Sequence, residues 1–508
     1  MTQVLSIGLD GAAWHKLDRL MAAGDLPNLA ALVEEGARAP LRSVDPPVTC
    51  PAWRCSTSGK NPGKLGVYWW LNLDRASGEL TSPDARSFAT ADVWDYLAAE
   101  GKRSAVVNVP MTYPPEPVDG LMVSGFGAPF GVDLDRSITH PPDVQERLAA
   151  EYDWDIGVDD VTTAEGLERA YDLIDSRFEL LGDLLEADYD YLHLTVFYIN
   201  VLQHKYGDGP ETREAWRRID EHLGRLDDED VLTILYSDHG HDTVDRTFVV
   251  NRYLIENGYL SFDTGLSDSA SGGAYSLLKR LSLSPRRMAK LAKAVLPASV
   301  YDDLVTSGYP VPTSELSARV DWEHTTALAV SQGPVYLNRE ALGDRYESFR
   351  DDLAAELSAL TVDGEPVLDH VSPAEEVYTG EYVDDAPDLV LVAADGWEIY
   401  GGVTPSVFET QVTSWTSGNH PRGMLLLHGD EVEPGTLAER SLLDVMPTVL
   451  RYLDCPVPDD VDGEAVTDAF ADGLGRRRTR PPLQPGPAGD ADDSDELKRR
   501  LEDLGYLE

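Results

Sequence analysis

The stretch Asp45–Trp70, DPPVTCPAWRCSTSGKNPGKLGVYWW, constrains this chain more than any other. Thr49 follows Pro46 and Pro47 and precedes Pro51, and the fixed φ of proline suits the first turn of a helix and excludes its interior. The spacing predicts a short helix that opens at Thr49, runs through Trp53, Arg54 and Cys55, and ends near Gly59. Free N–H groups at a helix mouth, with the macrodipole behind them, attract anions. Such a stretch can present a hydroxyl to a phosphate or a sulfate. It describes an ordinary N-cap equally well. Cys50 is a rival nucleophile, although a small thiol serves packing too.

Elsewhere the chain alternates apolar runs with amphipathic ones, the pattern of an α/β fold. Val4–Leu9 reads as a strand ending at Asp10-Gly11, with a helical pattern over Trp14–Glu35. Ala91–Gly101 reads as helix, Ser104–Val109 as strand and Asp190–Phe197 as a buried strand. Beyond the last, Asn200 and His204 stand four apart on one helix face. Val231–Tyr236 is a further strand, ending in SDHGHD with Asp238 and His239 adjacent. His241 is open to two readings, a further ligand or, the better fit, a solvent-facing loop histidine, and Thr247–Leu260 reads as helix. His420 lies in a Gly/Pro loop before another apolar run. Open α/β sheets gather functional groups where strands end, and Asp, Asn and His there suit metal ligation. Locally, Asp10 as a cap and Asn200 and His204 as surface residues fit the same pattern.

Composition narrows the setting. The 508 residues carry a net charge of −48, spread along the chain, with arginine far outnumbering lysine. A diffuse acidic surface suits a protein held soluble in concentrated salt, where charge is screened. It opposes binding to nucleic-acid polymers, which needs clustered basic residues. The start, MTQVLSIGLDG, reads as a strand rather than a secretory signal, and no apolar run reaches about 18 residues, so a cytoplasmic location is expected. Three cysteines (Cys50, Cys55, Cys455) lack metal-type spacing and read as reduced thiols. The one basic patch, Lys279 to Lys293, falls in a segment of different character, 263–319. It could cap an anionic substrate, touch a membrane surface or pair with local carboxylates. Residues 474–493 are low-complexity and read as a mobile linker before a short amphipathic helix.

Several motifs, in order, carry a family resemblance: GLDG at 8–11, PPVTCPAW and SGKNPGKLG in the opening stretch, NVPMTYPP, VLQH, SDHG, VDWEHT, APDLV, SGNHPRG and DVMPTVLRYL, with LEDLGYLE at the end. Together they resemble the type I phosphodiesterase/nucleotide pyrophosphatase-like branch of the alkaline phosphatase superfamily. The resemblance implies a three-layer α/β/α sandwich with a mostly parallel sheet. It implies a catalytic domain formed by residues 1–262 and 320–470, a helical insertion at 263–319, and a linker and terminal helix at 471–508.

It also implies two divalent metal ions, zinc or manganese. One would be held by Asp10, Asp238, His239 and the nucleophile's oxygen, the other by Asn200, His204 and His420. Thr49 matches the nucleophile, which would form a covalent phospho-threonine with a small phosphate ester. Two departures stand out: relatives usually carry aspartate where this chain has Asn200, and nucleotide pyrophosphatases carry asparagine where this chain has Ala52. A phosphodiesterase is the leading expectation. A sulfatase or phosphomutase on the same metals, or a catalytically weakened binding protein, is the alternative.

Overall fold

The computed structural model describes residues 3–262 and 320–486, apart from 76, 129–136, 159 and 227–230, together with Lys498, Leu501 and Leu504. The predicted insertion at 263–319, with its basic patch, lies outside the described residues. Phe262 and Val320, on either side of it, form an antiparallel bridge.

A ten-stranded sheet organises the fold. Its order is Gly435–Thr436, Ala37–Arg42, Arg422–His428, Leu232–Tyr236, Val4–Leu9, Tyr191–Val196, Ser104–Val109, Gly120–Ser124 and Thr139–His140, with Arg440–Ser441 also pairing with Ala37–Arg42. From Leu232–Tyr236 to Gly120–Ser124 the neighbours run parallel. Three of these, VLSIGL, SAVVNV and YLHLTV, are buried at every residue. Unbroken burial is what a parallel strand covered on both faces demands, and it explains why those runs do not alternate. Ala37–Arg42, nearer the edge, alternates buried and half-buried residues.

Direction places the site. Arg422–His428 is antiparallel to both Leu232–Tyr236 and Ala37–Arg42, so Ala37–Arg42 runs with the central strands. The residues that follow Val4–Leu9, Ala37–Arg42, Tyr191–Val196 and Leu232–Tyr236 therefore emerge at one edge, and those that precede Arg422–His428 join them there. The three central strands involved are adjacent, so Asp10, Asn200 and Asp238 are brought together by register alone.

A second buried cluster packs Leu254, Leu328, Val335, Leu357 and Leu391 beneath a small antiparallel sheet made by residues 327–329, 334–337, 368–373 and 389–393. Among the described residues no helix is long and apolar enough to cross a membrane.

Three local expectations are corrected. Trp14–Glu35 is two helices, Trp14–Ala23 and Pro27–Glu35, because Gly24 takes a left-handed φ of 80° as C-cap and Pro27 starts the next helix. Thr247–Leu260 is not helical throughout: Arg246–Val249 is a strand parallel to Trp397–Tyr400, and the helix is Val250–Glu256. The β-branched and aromatic residues Thr247, Phe248 and Val249 favour that outcome. In the expected linker, Thr479–Arg480 pairs with Val457–Pro458, and the Leu483 N–H donates to the Tyr96 hydroxyl.

Candidate active site

Thr49 is the first residue of a buried helix, Thr49–Ser58, with Val48 as N-cap and Gly59 (φ 69°) closing it. Its hydroxyl does not cap the helix. Thr49 Oγ1 instead lies 3.2 Å from His239 Nε2. The helix is anchored from within. The Arg54 guanidinium, 1% exposed, reaches Asp92 at 2.6 Å and the Met111 carbonyl at 3.0 Å. Breaking such a buried pair by removing one partner costs about 3–5 kcal/mol. Asp92, Asp95 and Glu116 form a compact carboxylate group around this guanidinium, which supplies the positive charge they need.

Asp10, Asp238 and His239 form a second such group, fully buried, with ligand atoms within 4.8 Å of one another. His239 Nε2 is 3.3 Å from Asp238 Oδ2 and 3.7 Å from Asp10 Oδ1. Among the described residues, neither of those oxygens has a partner within hydrogen-bonding geometry. The other oxygens are committed: Trp53 Nε1 donates to Asp10 Oδ2 at 2.8 Å, and the Gly11 N–H to Asp238 Oδ1 at 3.3 Å. Burial, and then the charge of Asp238, pushes the Asp10 carboxyl well above its ordinary range. Burial likewise raises Asp238. Two buried, mutually repelling carboxylates with one oxygen each turned inward, plus an imidazole, are the donor set of a divalent cation. The residues fit the metal.

The motif glycines make this packing possible. A Cβ at Gly8 would stand 2.3 Å from the Trp53 ring, which lies against the strand there. Gly11 has a φ of 69°, and a Cβ would meet Asn200 Oδ1 at 2.4 Å and Gln203 Nε2 at 2.8 Å. Only glycine satisfies both the backbone and the space.

Asn200 and His204 are buried on the helix Tyr198–Tyr206. His204 Nδ1 donates to the Ser417 carbonyl at 2.7 Å. Its ring stacks on Trp415 at 3.7 Å between centroids, and Trp415 Nε1 donates to the Leu504 carbonyl near the chain's end. His420 lies at the same sheet edge, half-buried, beside His15 and Asp395. His241 corrects an expectation. It is 2% exposed, on the strand Gly240–Thr243, and donates Nδ1 to the Gly11 carbonyl at 2.7 Å. Burial lowers its pKa to about 4, so the ring is neutral. Trp53 is the other residue missed, hidden among core aromatics. Cys50 is buried, and burial raises its thiol well above the usual value, so it holds no thiolate.

A mostly parallel sheet, a hydroxyl at a buried helix mouth and an Asp/His cluster at the strand ends define a metal-dependent hydrolase of the alkaline phosphatase superfamily. The chain belongs to the type I phosphodiesterase/nucleotide pyrophosphatase family, whose model matches residues 4–421, and it is a hydrolase of phosphoric ester bonds.

Among solved structures, the fold is similar to murine ectonucleotide pyrophosphatase/phosphodiesterase 5, an inactive form in complex with AMP. That match has 14% identity and a TM-score of 0.53, covering 94% of this chain and all of the other. It is also similar to phosphonoacetate hydrolase from Sinorhizobium meliloti in complex with phosphonoacetate, at 16% identity and a TM-score of 0.56. There, 88% of this chain and 94% of the other are covered. No curated protein matches the sequence.

Proposed function

We propose that this protein is a phosphodiesterase that cleaves small phosphate esters through a phospho-threonine on Thr49. The observation that carries the reading is the 3.2 Å approach of Thr49 Oγ1 to His239 Nε2 beside the inward oxygens of Asp10 and Asp238. Asp10, Asp238, His239 and the Thr49 oxygen would hold one divalent ion, and Asn200 and His204 would contribute to a second, with His420 as the further imidazole that the resemblance supplies. Zinc suits this mixed oxygen and nitrogen set, with manganese as the other candidate. Bound there, the ions would lower the hydroxyl's pKa and offset charge on the phosphoryl oxygens.

The chain's own residues do the rest. Thr49 Oγ1 bonds to phosphorus as the bond to the ester's alcohol breaks, the hydroxyl's proton ending on the departing alcohol. Water then adds to phosphorus as the Oγ1–P bond breaks, one of its protons restoring the Thr49 hydroxyl. The N–H groups at the mouth of Thr49–Ser58, where Pro51 has none and that of Ala52 bonds the Val48 carbonyl, would face the phosphoryl oxygens. Trp53 and Gly11 fix the orientation of the two carboxylates through the bonds they donate.

The diffuse negative charge supports a role in a salt-rich cytosol. The test is a panel of phosphate monoesters, diesters, phosphonates and sulfate esters, assayed in high salt with zinc or manganese. Diester cleavage well above the others is expected. Faster turnover of sulfate esters or monoesters would overturn the diester assignment, and no turnover of any would favour a binding protein.

A further inference from the structure

His204 is held by one short stretch of chain. Its Nδ1 donates to the Ser417 carbonyl at 2.7 Å, and the Trp415 indole lies nearly parallel to its ring, 3.7 Å between centroids. A carbonyl only accepts, so the proton sits on Nδ1 and the lone pair on Nε2, as in a metal-binding histidine. The His204 carbonyl accepts from the Thr416 N–H at 2.6 Å and from the Thr416 hydroxyl at 3.1 Å. The Ser417 hydroxyl donates to the Gln203 carbonyl at 2.7 Å. A bond to one ring nitrogen and a flat partner on one face together fix an imidazole's orientation. What orients Trp415 and Ser417 therefore orients His204.

The same stretch reaches the rest of the site. Ser417–His420 is a strand that ends on His420. The Asn419 amide donates to the carbonyl of Pro47 at 2.9 Å, two residues before Thr49.

Trp415 precedes that strand, in irregular backbone. Its N–H donates to the Thr413 hydroxyl at 3.3 Å, and its carbonyl accepts from Gln411 at 3.1 Å, both within its own loop. The indole N–H leaves the loop and donates to the Leu504 carbonyl at 3.1 Å, 89 residues along the chain. A buried indole usually finds a partner for that N–H. Here the partner is backbone of the C-terminal segment.

That segment is tied down. Leu501 and Leu504 are 0% and 4% exposed and belong to the main core cluster. Both are helical, and a spacing of three puts them on one face. The last residues of a chain stay loose unless something docks them. Two buried leucines and a bond to a tryptophan of the site do so here.

We infer that the C-terminal segment is a positioning element of the active site. By docking Leu501 and Leu504 it fixes Trp415, and through Trp415 it holds His204 in place for the second ion. The inference rests on the two-metal reading above and leaves the ligands of that reading as they are. The first metal group is oriented by Trp53 and Gly11 instead, so its ion should not feel the segment.

The experiment is a chelator-competition titration of the full chain with zinc, which reads the affinities of the two ions separately. Thermal unfolding of the metal-free proteins reports on the fold. Trp415→Phe keeps a ring against His204 and removes the N–H. The double variant Leu501→Asp, Leu504→Asp undocks the segment and leaves Trp415 in place. His204→Asn is the control that loses the second ion. The expected result is binding of the second ion about 10- to 100-fold weaker in the Trp415 and double variants, with the first ion bound as in wild type. A role confined to folding would weaken both ions together or neither. Either result overturns the inference and leaves the two-metal reading standing. If the double variant unfolds, Trp415→Phe decides: unchanged affinity for the second ion there sinks the inference. A wild-type protein that takes up one ion or none would overturn the two-metal reading, and the inference with it.

Discussion

Trp53 and Asp10 are 43 residues apart in sequence, yet the indole Nε1 of one donates a 2.8 Å hydrogen bond to the carboxylate Oδ2 of the other. That bond decides which oxygen of Asp10 faces the metal group. The indole can lie there only because Gly8 has no side chain. Replacing Trp53 by Phe keeps a ring against the strand and removes the donor. The expected result is about a 10- to 100-fold loss of affinity for the first metal ion, the usual effect of deleting a bond that orients a ligand. A chelator competition titration measures it, and unchanged affinity would show that Asp10 needs no such support.

Thr49 is the next residue to vary. Thr49→Ala should leave folding intact, because the hydroxyl does not cap its helix. It should reduce diester turnover by about 1,000-fold or more, as removal of a covalent nucleophile does. Thr49→Ser should retain part of the activity. Acid-quenched wild-type enzyme should carry a phosphoryl group on the peptide that contains Thr49, and that mass increment should be missing in the alanine variant. Turnover in Thr49→Ala equal to wild type would assign the nucleophile elsewhere.

Much of this site was legible in the sequence because the parallel strands advertise themselves. Runs such as VLSIGL and YLHLTV have no alternation, and a polar residue just past such a run has few places to be except the sheet edge. That logic puts Asp10, Asn200, Asp238 and His239 near strand ends. As ligands they, and His204, are named by the family resemblance, since locally a cap or surface residues fit Asp10, Asn200 and His204 as well. The helix at Thr49 was readable from its prolines and Gly59. The burial of His241 was not, because a histidine five residues beyond the strand Leu232–Tyr236 is usually solvated, and the Gly240–Thr243 strand exists only through pairing with residues 417–420. The break at Gly24 was missed because the apolar periodicity continues across it. Trp53 gave no sign, since a buried tryptophan reads as core whether or not its N–H is used.

The carboxylates around Arg54 give the metal-free protein a predictable response to pH. Burial, and then the charge of Asp92, raises Asp95 to about 7. Burial raises Glu116 to about 7 as well. In the unfolded chain such groups titrate near about 4. The folded state therefore holds these protons more tightly, so their stabilising contribution is complete below about pH 4 and is lost as pH rises through about 7. Each group can cost about 1 kcal/mol per pH unit across that window. At fixed high salt, urea midpoints of the metal-free protein should fall between pH 5 and pH 8. The double variant Asp95→Asn, Glu116→Gln should fall less. Equal slopes for the two proteins would mean that neither group is protonated in the fold.

Asn200 is the departure with the largest expected consequence, and its substitution should act in opposite directions on the two forms of the protein. Its amide oxygen offers a ligand without charge, against Gly11 and close to the Asp10–Asp238 pair. Asn200→Asp puts a further carboxylate into a site where two already repel each other. In the metal-free protein this adds a buried, unpaired charge, and the thermal midpoint should drop. With metal bound, the same carboxylate is paired, and affinity for the second ion should rise by about tenfold or more, since even about 1.4 kcal/mol of added attraction is a factor of ten. Binding of only the folded form converts that affinity into stability. The gap between metal-free and zinc-saturated midpoints should therefore widen in the variant. Scanning both forms of both proteins measures this directly. A gap no wider than in wild type, with metal content unchanged, would place Asn200 outside the coordination sphere.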